Sequence, residues 1–165
     1  MKLTKSKLKQ VIREEIQKMN EAKTYADAMA GTNIDVSSKG ITSLEGAPQK
    51  VEGRFYCDNN SLTSLKGAPK EVKGSFHCYN NSLTSLKDAP QKVEGDFYCQ
   101  NNSLTSLKGA PQKVKGDFYC YNNSLTSLEG APKEVEGDFY CQKNKTKFTE
   151  EDVRAVCKVG GRILV

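Results

Sequence analysis

Residues 104–124 read LTSLKGAPQKVKGDFYCYNNS, and close variants of this 21-residue string occupy 41–61, 62–82, 83–103 and 125–145. Each copy follows [IL]-T-S-L-[EK]-[GD]-A-P-x-x-V-[EK]-G-x-F-x-C-x-x-N-x. A fixed period of this length is one short supersecondary unit that cannot bury its own apolar face, so the copies must stack. G-x-F-x-C alternates with period two, which predicts a strand with Phe and Cys on one face. Asn-Asn-Ser ends the strand, and L-T-S-L turns the chain beneath the core. Ala-Pro then sets an extended return, since proline fixes its own φ and keeps the preceding alanine out of the helical region. The returning arm is too short for a regular helix and is expected to point valine inward, with Lys, Glu and Gln solvated.

The repeat runs beyond its clean copies. Ile34, Val36 and Ile41 precede Phe55, Cys57 and Leu62 by one period, with Lys39 where the other copies have Asn, so residues 34–40 read as a degenerate cap strand. After Lys145 the pattern stops. Thr149-Glu150-Glu151-Asp152 has the spacing of a helix start, Val153, Val156 and Val159 follow, and Gly161-Arg162-Ile163-Leu164-Val165 repeats the grammar of a strand. Residues 146–165 are therefore expected to form a C-terminal cap. At the other end, Leu8, Val11, Ile12, Ile16 and Met19 share one helical face, predicting an amphipathic helix over 5–22 within a basic segment 1–23, with Thr4 available as its cap. An isolated helix of this length is marginal in water, so it is expected to pack on something. Residues 24–33 read as a linker or a loosely helical approach to the repeats.

Net charge is +5, and Lys2, Lys5, Lys7, Lys9 and Arg13 supply five positive charges before the first acidic residue, Glu14. The remainder balances at 20 basic against 20 acidic residues, so only an arm is basic. No apolar run is long enough to span a membrane, and lysines interrupt every candidate secretory core. These features point to a protein kept in a reducing cytoplasm, with a virion as the alternative. Met19-Asn20-Glu21-Ala22 resembles the small-residue sites at which large phages process packaged proteins, which would make the arm a removable address.

The run Phe97 to Leu107, F-x-C-x-x-N-x-L-T-S-L, resembles the leucine-rich repeat signature L-x-L-x-x-N-x-L-x-x-L over residues 34–145. It is similar to bacterial effector repeats of the YopM and IpaH kind, which carry L-P-x-L-P where this chain has L-[EK]-[GD]-A-P, and to repeat proteins of large tailed phages and their hosts. The resemblance implies a repeat solenoid with a right-handed coil, one parallel β-sheet face, ligand contact through exposed strand positions and no catalysis in the repeat itself.

Several ladders follow from stacking. Asn60, Asn81, Asn102, Asn123 and Asn144 are expected to bond backbone groups where the chain leaves the strand. Cys57, Cys78, Cys99, Cys120 and Cys141 form a straight row that packs as small hydrophobes, because a line of thiols does not converge tetrahedrally on zinc. Outward, Tyr56, His77, Tyr98, Tyr119 and Tyr140 alternate with the core, and Tyr79 and Tyr121 follow their cysteines. Asp96, Asp117 and Asp138 make an acidic row that Arg54 and Ser75 interrupt, with Asp58 taken as its first-repeat counterpart. Two readings of the tyrosines stay open, an interaction face and cross-strand packing that stabilises the sheet. The acidic row would be relieved by a basic ligand.

No nucleotide loop, zinc-helix motif or paired carboxylates appear, and about 20 residues follow the last repeat, so the sequence calls for no catalytic residue, metal or cofactor. Like charge on the aromatic face argues against nucleic acid. The leading expectation is a non-enzymatic module that binds a protein partner, basic in character, through Tyr56, His77, Tyr79, Asp96, Tyr98, Asp117, Tyr119, Tyr121, Asp138 and Tyr140. The alternative occupant of the same face is a glycan or other small polar ligand. A third reading is a packaged virion protein.

Overall fold

The computed structural model describes residues 5–28 and 32–165. Helix α1 (Lys5–Ala28) is followed by two-residue strands that alternate between two sheets. The strands are β1 (Ile34–Asp35), β2 (Lys50–Val51), β3 (Phe55–Tyr56), β4 (Glu71–Val72), β5 (Phe76–His77), β6 (Lys92–Val93), β7 (Phe97–Tyr98), β8 (Lys113–Val114), β9 (Phe118–Tyr119), β10 (Glu134–Val135) and β11 (Phe139–Tyr140). Helix α2 (Glu150–Arg154), β12 (Lys158–Val159) and β13 (Ile163–Leu164) complete the chain. Odd-numbered strands form a seven-stranded parallel sheet, here sheet A, in the order β1-β3-β5-β7-β9-β11-β13. The remaining six form a second parallel sheet, B, in the order β12-β10-β8-β6-β4-β2. The molecule is a parallel β-solenoid of about six turns.

The second sheet departs from the expectation of a single sheet face. The proline-led return is extended, and extended arms stacked one coil above another pair their backbones as any parallel strands do. Register is the repeat itself: Phe76 pairs with Phe97 and Val72 with Val93. A third side carries bonds as well, with Ser82 N donating to Leu62 O at 2.9 Å and Ser103 N to Leu83 O at 2.9 Å. Backbone donors on all three sides of a coil are thus satisfied by its neighbours, which is what a buried-core coil of such short strands requires.

Each coil contributes a layer of Phe, Cys, Leu, Leu, Ala and Val to one continuous core, as in Phe97, Cys99, Leu104, Leu107, Ala110 and Val114, all buried. The phenylalanines stack down the axis with ring centroids 5.2 to 5.8 Å apart. The cysteines are all free and buried, and Cys57, Cys78 and Cys99 point their thiols at carbonyls of the next coil, 3.2 to 3.3 Å away. Burial holds those thiols far above their ordinary pKa, so they sit in the core as neutral small hydrophobes.

The corners use left-handed residues where the pattern predicts a turn. Asn59, Asn80, Asn101 and Asn122 have φ of 50 to 55°, a conformation asparagine tolerates better than most residues. The second asparagine of each pair does what its spacing predicts. In Asn81 the amide donates to Cys57 O, Cys78 O and Tyr79 O at 3.0 to 3.2 Å, and its oxygen accepts from Leu62 N at 2.9 Å.

At the C-terminal end, the coil ahead of β12 and β13 is longer: Glu134 pairs with Lys158 and Phe139 with Ile163, a step of 24 residues. The extra length is α2, which starts with the capping box its sequence announces, Thr149 and Asp152 bonding each other's backbone N–H. At the N-terminal end α1 reaches Ala28, so 24–28 are a helical approach rather than an irregular linker. Residues 1–4, including Lys2 and the Thr4 cap, and 29–31 lie outside the described residues. Leu8, Val11, Ile12, Ile16 and Met19 are 39 to 70% exposed, so the stripe expected to pack is not covered among the described residues. No described helix is long and apolar enough to cross a membrane.

Candidate functional site

Strand alternation in sheet A turns Phe and Cys inward and presents the intervening residue outward. Because the register never slips, Tyr56, His77, Tyr98, Tyr119 and Tyr140 stand in one column. Their rings are stacked with centroids 4.3 to 4.5 Å apart and interplanar angles of 7 to 26°. This spacing is tighter than the ~4.8 Å between strands, so the rings lean into contact. Within the column His77, Tyr98 and Tyr119 are covered on both faces by their neighbours and the end rings Tyr56 and Tyr140 on one, and the edges look outward.

The acidic row lies directly beside this column and explains its order. Tyr98, Tyr119 and Tyr140 donate their hydroxyls to Asp96, Asp117 and Asp138 of their own strands at 3.1, 2.8 and 3.0 Å. The other carboxylate oxygen of each aspartate accepts a backbone N–H from the next coil: Asp117 N to Asp96 at 2.9 Å, Asp138 N to Asp117 at 2.7 Å and Arg162 N to Asp138 at 2.7 Å. The row therefore does not wait for a basic ligand, as its like charges suggested. Its oxygens are already engaged by phenols and amides, and Arg162 closes the end with Nη2 at 2.8 Å from Asp138.

This bonding also explains the glycine that precedes each aspartate. A Cβ on Gly116 would collide with the Asp96 carboxylate, and one on Gly137 with that of Asp117. Only glycine lets the side chain of one coil lie across the backbone of the next. That signal was in the sequence, as an invariant Gly before the Asp position.

Electrostatics follow the geometry. Burial and then the Asp96 charge push the Tyr98 phenol up to about 12, and burial followed by the hydrogen bond to Asp117 raises Tyr119 further. Tyr140 is raised chiefly by its bond to Asp138, whose own carboxyl is held low by the Arg162 backbone N–H and guanidinium. His77, sandwiched between Tyr56 and Tyr98, is lowered by burial first, with Asp58 pulling the other way.

Asp58 belongs elsewhere than the sequence grouping put it. It follows Cys57, so it shares a column with Tyr79, Gln100, Tyr121 and Gln142, on the opposite side of the tyrosine stack from Asp96. In that column Tyr79 packs edge-on against His77 and Tyr98, at 6.2 and 6.5 Å. Asp58 and Gln100 are buried. Asp58 Oδ1, Gln100 Oε1 and Gln142 Oε1 accept no hydrogen bond. Outside it, a row of amides runs Asn80 to Asn59, Asn101 to Asn80 and Asn122 to Asn101 at 2.6 to 2.8 Å, a second asparagine ladder that the sequence reading left without a role.

All ten sequence-selected residues thus lie on one face, in three adjacent columns. Among the described residues no group of three or more His, Cys, Asp or Glu side chains is placed to hold a metal ion. Comparison with known proteins gives no match, whether to a family model, to curated proteins or to solved structures.

Proposed function

We propose that this chain is a non-enzymatic binding scaffold of leucine-rich-repeat type that holds a partner protein against the outward face of sheet A. The observation that carries the reading is the stacked tyrosine column, whose rings are pinned by neighbours and whose hydroxyls are already bonded. An aromatic strip ordered in advance loses little side-chain entropy on binding, and tyrosine edges beside polar groups are what interfaces favour. The opposite sheet offers no comparable surface, being covered with Lys and Glu. The repeat signature, with its inward asparagine ladder, supports the leucine-rich-repeat assignment. The exposed apolar stripe of α1 supports a tethering or docking role for the arm.

A glycan would need an open ring face for stacking, and the column turns its faces inward on one another, so the protein reading is preferred. A photo-crosslinking residue at position 121 on sheet A should give a discrete adduct in the native source, whereas the same residue at position 113 on sheet B should not. Adducts from position 113 alone would overturn the reading. So would a glycan that binds the wild type and is lost from Tyr98→Ala and Tyr119→Ala.

A further inference from the structure

Near-identical coils serve as one another's control. Three consecutive coils present Asp and Tyr in the outward pair of sheet A: Asp96 and Tyr98, Asp117 and Tyr119, Asp138 and Tyr140. The first two depart together, with Arg54, Tyr56 and Asp58 in one and Ser75, His77 and Tyr79 in the next. These departures fall on adjacent strands, β3 and β5, at one end of the face. Duplication alone would copy the common residues there as it did elsewhere.

At the centre of this patch stands Asp58, only 4% exposed. Its Oδ2 accepts from Asn59 Nδ2 at 2.6 Å and the Tyr79 hydroxyl leans on the carboxylate, while Oδ1 receives no donor of hydrogen-bond geometry. A buried carboxylate oxygen without a donor is costly, and folded proteins ordinarily supply a partner. Gln100 and Gln142 also leave an oxygen unmatched, but theirs are neutral amides. On the same two strands Tyr56 and His77 are stacked, and Tyr79 lies edge-on to His77. The patch is unbalanced in charge as well. The charges that act most on His77 are Asp58, Asp96 and Asp35, opposed by Arg54. Arg54 turns its Nη1 to the Tyr56 hydroxyl at 3.3 Å.

Taking the protein-partner reading as given, we infer that the partner anchors here by one basic side chain, its cationic nitrogen donating to Asp58 Oδ1 between Tyr56, His77 and Tyr79. Charge complementarity selects a cation. Tyr79 turns outward to admit it. Protonation of His77 places a competing positive charge beside Asp58, so the anchor weakens as pH falls through the imidazole's lowered pKa.

The test is an NMR titration of the full chain with the blocked peptides acetyl-Gly-Arg-Gly-amide, acetyl-Gly-Lys-Gly-amide and acetyl-Gly-Gln-Gly-amide. A saturable shift of the His77 and Tyr79 ring resonances is expected with the Arg or the Lys peptide, and the two arms tell guanidinium from ammonium preference. The Gln peptide should give none. Asp58→Asn keeps the acceptor for Asn59 and should weaken binding about tenfold or more. Arg54→Gln, an exposed change that leaves the ladder in place, should tighten it. Equal shifts with the Gln peptide, no saturable shift with either cation, or unaltered affinity in Arg54→Gln would overturn the inference. A protein adduct formed from position 121 equally well in wild type and Asp58→Asn would remove the basic anchor and leave the partner face standing. Cationic-peptide binding without any protein adduct would support the anchor and remove the partner reading.

Discussion

Sheets A and B are built from the same coils at the same spacing, yet they solve the stacking of outward side chains in opposite ways. Sheet A repeats one residue type down a column, and the copies hold each other: rings stack and each aspartate bonds the coil above. Sheet B interleaves opposite charges. Its positions before valine run Lys50, Glu71, Lys92, Lys113, Glu134 and Lys158, and those after it run Glu52, Lys73, Glu94, Lys115 and Glu136. Lys92 meets Glu71 at 2.8 Å and Glu94 at 3.1 Å, and Lys113 meets Glu134 at 3.0 Å and Glu136 at 2.8 Å. Identical charges stacked about 4.8 Å apart repel, so a charged column must alternate or find donors elsewhere. Sheet B alternates except where Lys92 adjoins Lys113, and there each lysine is ion-paired with two glutamates; the aspartates of sheet A find donors in the backbone.

The contrast is most strongly broken in the core beneath each sheet. Phe97→Ala should cost about 3–5 kcal/mol, because it removes a stacked ring from the middle of a continuous column. Val93→Ala beneath sheet B should cost roughly 1.6 kcal/mol, from two methyl groups at about 0.8 kcal/mol each. Urea unfolding of both variants measures the ratio.

Next in size is the aspartate row. Asp117→Ala leaves the Asp138 N–H without its acceptor and Tyr119 without its own, and should cost about 1–3 kcal/mol. Asp117→Asn keeps an acceptor oxygen and should recover part of that loss. Faster amide hydrogen exchange at Asp138 in the alanine variant would localise the effect, and unchanged exchange would contradict the bonding described here.

Acid separates the sheets more gently. His77 is held below its ordinary value, so the unfolded chain binds a proton more readily; stability from this group is complete above about pH 6.5 and declines as pH falls through the lowered folded value. Asp138 is also lowered, and its contribution persists above the ordinary carboxylate range and is lost at more acid pH. Thermal melts across this range should show a slope between neutral pH and pH 5 that His77→Tyr flattens. The smallest effect belongs to the sheet B surface. Lys92→Met should shift the melting temperature slightly at low salt and not at all in about 0.5 M salt, since exposed pairs are weak and screened.

How much of this was legible follows from what repeats. Phe, Cys, Leu and Val alternate or recur at fixed positions, so the core columns and the strand of sheet A could be read from the period alone. The inward asparagine was equally readable, because an amide at every strand exit has a backbone to bond. Sheet B was not anticipated: a two-residue strand such as Lys92–Val93 has too little alternation to register, and its existence depends on the coil above. Asp58 was placed in the wrong column because it was grouped by charge; counting from Cys57 puts it beside Tyr79. The Gly116 and Asp96 contact joins residues one coil apart, and only stacked coordinates reveal why that glycine never varies. Helix α1 ran past its expected end because Thr24, Tyr25 and the alanines carry no apolar period, although alanine favours helix.

The aspartate that lies over the following glycine gives each coil an upper and a lower side that fit each other and nothing else. A further copy of the 21-residue unit could therefore be spliced between any two identical neighbours and would meet the same surface above and below. Such an insertion would lengthen the outward face by one rung of about 4.8 Å without re-solving the interior. The reach of this surface is in effect a number written in the gene, adjustable by unequal recombination, while the unlike coils at one end keep their position.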